Sequence, residues 1–199
     1  MEPTDTRTAI LEVAARLYAD LGYSAVSMRD VAKEIGVTPA NLYHHFKGKE
    51  DLIRETLAHV FAQKTAPLAD IFTRTAASSG QLEVFVDFFL RLLLEDRVFF
   101  RLLVRELLDG GGSRLRELAH SVLESPFSLV SSLADQQGSE DQRFLTTVSM
   151  IGIILGHVQL AALLPYLPGG RPDYGDPSIL GQHISAVLRR AFHDAEKEK

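Results

Sequence analysis

The chain contains no cysteine. That excludes disulfides, thiolate zinc sites, iron–sulfur clusters and any cysteine redox switch, and it suits a reducing cytoplasm. Charge is missing from one long internal run: between Arg143 and Arg171 there is no Asp, Glu, Lys or Arg. The opening residues, MEPTDTRTAI, have no basic segment followed by an apolar run, so no secretory signal is expected. Chemical motifs are scarce as well. GGGSR at Gly110–Arg114 is followed by no G-K-[ST], and neither G-x-S-x-G nor H-E-x-x-H occurs. The 7 histidines are scattered without metal-ligand spacing. The sequence therefore predicts no catalytic group, no metal and no cofactor. The protein is expected not to be an enzyme.

What is present is a chain of 199 residues, 46% hydrophobic, which is ample for a packed core. Its net charge of −5 weighs against a surface coated in positive charge. Against that acidic background stands Thr38–Lys49, TPANLYHHFKGK, with two lysines, two histidines, a tyrosine, an asparagine and no carboxylate.

Apolar residues recur at three and four, so the fold expected is all-α. Ile10, Val13, Ala14, Leu17 and Leu21 form the face of a first helix that ends at Gly22. Ser27 and Asp30 suggest a capping box ahead of a short second helix, with Val31, Ala32 and Ile35 inward and Gly36 as its stop. Thr38 caps a third helix with Pro39 at its first position, and Leu42 and Phe46 are spaced to face inward. A fourth helix starts at Lys49 and is expected to kink or end at Pro67. Helices then follow Ser79–Gly80, Asp96 and Ser113, the last with a break at Pro126. Gly138–Ser139 opens the uncharged helix, and a final helix covers Ser178 to about Ala195. The stretch Thr146–Leu164 is long enough to approach a bilayer span. It carries Thr146, Thr147, Ser149, His157 and Gln159, so the expected reading is a helix buried on nearly all sides of a soluble protein, with no membrane partner.

Two short helices joined at Gly36–Val37 give helix-turn-helix geometry, in which the second helix enters a DNA major groove N-terminus first. On its outer face Asn41 can pair with adenine, Ala40 can touch a thymine methyl, and Tyr43 and His44 can reach phosphates or base edges. Thr38 and Pro39 open that helix. Lys47 and Lys49 follow it, and Lys49 adds its charge to the N-terminus of the fourth helix. Ser27 and Arg29 stand in the same way at the start of the second.

Ala14–Leu52, AARLYADLGYSAVSMRDVAKEIGVTPANLYHHFKGKEDL, resembles the DNA-binding domain of the TetR family of transcriptional regulators. The resemblance rests on Gly22-Tyr23, Ser27, Val31-Ala32, Gly36-Val37, Leu42-Tyr43, Phe46 and Lys49. One position departs: Gly48 stands where a serine is frequent. The resemblance implies an all-α homodimer with an N-terminal three-helix head on double-stranded DNA and a larger helical bundle that receives a small molecule. On that basis residues 1–48 are assigned to the DNA-binding domain and 49–199 to ligand binding and dimerisation.

A two-fold dimer suits a palindromic operator, because each half-site meets an identical head. The expected interface comes from the uncharged helix, through Gly152, Gly156, Leu160 and Leu163, and from the last helix, through Ile184 and Leu188. The expected effector pocket is lined by Phe85, Phe89, Phe100 and Phe127 with His157 and Gln159 as polar groups, which points to an apolar or aromatic effector. Aromatics at such spacing fill a core as readily as they line a pocket. The function expected is a cytoplasmic, ligand-responsive repressor. The alternatives are the same head in an activator or protein-gated regulator, and a helical protein that binds no DNA.

Overall fold

A computed structural model describes residues 3–75, 80–134 and 139–197, with side chains described between 6 and 191. The positions Ser79 and Gly138, expected to open helices, lie outside the described residues. Among the described residues there is no strand. The helices are α1 (Pro3–Leu21), α2 (Met28–Ile35), α3 (Pro39–His45), α4 (Lys49–Arg74), α5 (Gln81–Glu95), α6 (Arg97–Asp109), α7 (Gly112–Leu118), α8 (Glu124–Ser131), α9 (Glu140–Leu160) and α10 (Pro177–Lys197). They form two compact units. The first is Met1–Thr65 with Arg97–Glu124, and the second is Ala66–Asp96 with Ser125–Lys199. The boundary at residue 48 expected from sequence falls inside the first unit, which also takes in the start of α4 and all of α6 and α7.

In the first unit, α1 buries Ile10, Ala14 and Tyr18 and ends at Gly22, whose N–H donates to the Tyr18 carbonyl. The last carbonyls of α1 would otherwise lack partners. Arg105 of α6 supplies them, donating to Ala19 O at 3.1 Å and Asp20 O at 3.2 Å. Arg101, also on α6, pairs with Asp20. The Phe61 and Phe99 rings, 4.9 Å apart, close the core between α4 and α6.

Two prolines behave differently from expectation. Helix α4 runs through Pro67 to Arg74. Burial of Leu68 and Phe72 beyond the proline holds the helix, since packing of an apolar face outweighs one missing backbone bond. The break expected at Pro126 falls ahead of it instead, as a π-turn over Ala119–Leu123. Proline cannot close its own rung and crowds the turn before it, and such strain is relieved by a local change of helical pitch.

The second unit is built on α5, α9 and α10, whose buried residues include Phe85, Val86, Leu90, Met150, Ile154 and Leu180. Ile184 and Leu188 join them at 0% and 2% exposure. Both, expected at a subunit interface, fill the core of their own unit. The other difference concerns α9. It is long and apolar enough to cross a bilayer by composition, and it was expected to be enclosed. Only one face is: Thr147, Met150, Ile154 and Val158 turn inward, while Phe144, Leu145, Val148 and Leu160 are about half exposed or more. Gly152 lies on that open side, and a methyl group built at Gly152 or Gly156 would meet no atom within 4 Å.

Candidate nucleic-acid interface

The outer face of α3 follows from its two ends. Ser27 starts α2 with a reciprocal box: its hydroxyl oxygen accepts from the Asp30 N–H at 3.2 Å, and the Asp30 carboxylate accepts from the Ser27 N–H at 2.8 Å. The Ser27 hydroxyl, with the Ser27 N–H, holds the Asp30 carboxyl below the usual carboxylate range. Gly36 closes α2 at φ +77°, a left-handed conformation that glycine adopts without a side-chain clash. Thr38 then caps α3, its hydroxyl oxygen accepting from the Asn41 N–H at 3.4 Å, with Pro39 at the first helical position. Leu42 at 0% and Phe46 at 1% exposure anchor the helix.

With those two turned in, Pro39, Ala40, Tyr43, His44 and Lys47 are exposed on one side, joined by Ser27, Arg29 and Thr38. Asn41 is only half exposed, and its Oδ1 is covered without a hydrogen-bond partner among the described residues. A bidentate contact to adenine therefore requires the Asn41 amide to turn outward.

The lysines beside this face have carboxylate neighbours, Glu50 and Asp51, and each has a partner within the fold. The Asp51 carboxylate accepts from the Lys47 N–H at 2.9 Å and pairs with Arg54. Those two contacts, the backbone one first, hold it below the usual carboxylate range. Glu50 accepts from the Tyr23 hydroxyl. Lys49 turns the other way: its Nζ donates to the Ser24 carbonyl at 3.3 Å and sits 4.4 Å from the centre of the Tyr23 ring. Burial first, then the bond to Glu50, pushes the Tyr23 phenol up to about 12. Arg7 of α1 lies 5.2 Å from the Phe46 ring and is paired with Glu55.

Sequence reading singled out neither Tyr23 nor Arg7 for this site. Tyr23 entered as part of the family resemblance, while its contact to Lys49 arises only when the α1–α2 corner meets α4. The acidic start of α4 was visible, but the hydrogen bond of Glu50 to Tyr23 and the ion pair of Asp51 with Arg54 were not.

The residues expected to line an effector pocket fall in both units. Phe85 and Phe89 stack at 5.9 Å in the second unit, and Phe127 packs on Phe144 at 5.5 Å there. Phe100 belongs to the first unit. The His157 ring Nδ1 lies 2.8 Å from the Ile153 carbonyl in its own helix, and Gln159 is exposed. A cleft of about 440 Å³ in the second unit is lined by Glu83, Asp87, Gly181, Ser185 and Arg189 among others. A cleft of about 390 Å³ in the first unit is lined by residues including Tyr18, Tyr23, Arg105, Glu106 and Arg114. None of the six expected residues lines either cleft.

Residues 10–56, which hold the helix-turn-helix and its two anchors, match the profile of bacterial regulatory proteins of the tetR family. Over 56 residues the chain is 41% identical to the HTH-type transcriptional repressor KstR2 of Mycolicibacterium smegmatis, covering 28% of this chain and 27% of that one. An uncharacterized HTH-type transcriptional regulator of Haemophilus influenzae is 30% identical over 126 residues, 60% of each chain. The alignments with the KstR2 repressors span 27% to 39% of their length. Similarity of fold extends much further. The transcriptional regulator FadR of Bacillus subtilis, solved in complex with stearoyl-CoA, superposes with a TM-score of 0.74 at 17% identity, over 91% of this chain and 96% of that one. Residues 10–56 are thus a tetR-family DNA-binding segment, and the rest of the chain shares the fold of TetR-family regulators.

Proposed function

We propose that the protein is a ligand-responsive repressor that binds a palindromic operator as a homodimer and is released by a small apolar or aromatic effector. The observation that carries the DNA-binding part is the outer side of α3. A helix fixed by Thr38, Leu42 and Phe46 presents Ala40, Tyr43 and His44 with Lys47 and Lys49 beside them, and the neighbouring carboxylates are engaged elsewhere. Phosphate contacts from the lysines and helix ends would set register, and the α3 side chains would read bases.

The homodimer reading is supported by the open apolar side of α9, where Gly152 and Gly156 allow close approach and Leu160 and Leu163 are exposed. Repression is supported by the similarity of the head to the KstR2 repressors, and a small-molecule effector by the fold shared with FadR, solved with stearoyl-CoA. An effector acts only through different affinities for the two states of the dimer. The cytoplasm is the compartment that suits this role, and no catalytic step is assigned.

A fluorescent duplex of mixed sequence, titrated with the protein at two salt concentrations, tests the DNA-binding reading. Binding that weakens with a slope of several counterions is expected. Absence of binding at low salt, or binding indifferent to salt, rejects it in favour of a helical protein that binds no DNA.

A further inference from the structure

We infer that Arg114, together with Tyr23, is a positioning residue for Lys49 and so governs DNA affinity without touching DNA. This rests on the DNA-binding reading above. The three side chains belong to separate helices and corners of the first unit and meet on one ring. The Lys49 Nζ is 4.4 Å, and the Arg114 guanidinium carbon 5.1 Å, from the centre of the Tyr23 ring. The ring's electron-rich face attracts both cations. Donation of the Tyr23 hydroxyl to the Glu50 carboxylate increases that electron density, and Arg114 lies 3.9 Å from the same carboxylate.

Arg114 is itself held from behind. Its Nε donates at 3.0 Å to Glu106, and the two side chains are only 17% and 8% exposed. A buried carboxylate needs such a partner, so the pair is fixed in geometry. The α6–α7 corner is shaped around it: a methyl group at Gly110 would fall 2.2 Å from the Glu106 carbonyl oxygen. The chain of contacts therefore runs from Glu106 to Arg114, to Tyr23 and Glu50, and to Lys49. At the far end, the Lys49 ammonium gives one hydrogen to the Ser24 carbonyl at 3.3 Å and faces the ring. It has three hydrogens, so one remains for a phosphate. A free lysine loses rotamer freedom when it binds, and one held in place beforehand loses less.

The test compares duplex binding by six proteins: the unaltered chain, Lys49→Met, Tyr23→Leu, the double variant Glu106→Gln/Arg114→Gln, and the last two each combined with Lys49→Met. The double variant removes the guanidinium from the ring without stranding a buried carboxylate, and its folding is checked by thermal melting. Tyr23→Leu and the double variant are each expected to weaken binding about threefold to thirtyfold, the range that a cation held at an aromatic face supplies. Both are also expected to lower the salt slope by about one phosphate contact, as Lys49→Met does. In a Lys49→Met background they should add nothing. The inference is overturned if Lys49→Met weakens binding while the other two keep the affinity and slope of the unaltered chain. It is also overturned if their effects add fully to that of Lys49→Met, because a general structural role is additive and leaves the slope unmoved. Failure of the unaltered chain to bind any duplex rejects the DNA-binding reading instead.

Discussion

Lys49 and Tyr23 meet at 4.4 Å between ammonium nitrogen and ring centre, across the join of the α1–α2 corner and the first turn of α4. That contact places a positive charge beside the end of α3 while the adjacent carboxylates are occupied by Tyr23 and Arg54. An acidic protein thereby keeps a local surface fit for phosphate.

Lys49→Met should weaken binding to all duplexes alike, whereas His44→Ala should relax sequence preference. The loss per base contact is about 1–3 kcal/mol for the preferred sequence and little for others. Competition titrations with matched and mismatched duplexes separate the two effects.

Leu42→Ala should destabilise the head by about 2–5 kcal/mol, because a fully buried leucine leaves a cavity between α3 and its neighbours. Urea unfolding followed by circular dichroism measures this. Tyr43→Ala, on the exposed side of the same helix, should leave the midpoint nearly unchanged.

Acid should loosen the start of α2. The Asp30 carboxyl titrates below its ordinary value of 3.8 in the folded chain. A lowered folded value means that the carboxylate favours folding at pH above the ordinary value, and that this contribution fades as pH falls through the lowered one. Ser27→Ala removes the hydroxyl that is the main cause, so the Asp30 titration followed by NMR should move up towards 3.8.

Gly156→Glu should convert a dimer to a monomer, since it places a charge in the open apolar side of α9. Sedimentation velocity gives the outcome, and an unaltered dimer would place the interface elsewhere.

The elements legible in the sequence are those set by neighbours along the chain. Ser27 with Asp30, Gly36, and Thr38 with Pro39 fix α2 and α3 through bonds spanning a few residues, and each stands where local chemistry puts it. What escaped reading depends on distant partners. Arg114 meets Tyr23 only after α6 and α7 fold back, and no spacing rule links them. Ile184 and Leu160 look alike in sequence, yet one is enclosed and the other open, because the sides of α9 and α10 that pack together are decided in three dimensions. The six expected pocket residues rest on the same kind of signal: a stripe of aromatics specifies burial without specifying a cavity.

The most direct test of the central claim is a selection of bound duplexes from a random pool by the purified protein at moderate salt, followed by sequencing. The account predicts an enriched palindrome whose half-sites lie about one DNA turn apart, and loss of that enrichment when Tyr43 and His44 are both replaced by alanine. No enrichment by a folded, dimeric protein, or the same motif from the double variant, would contradict it.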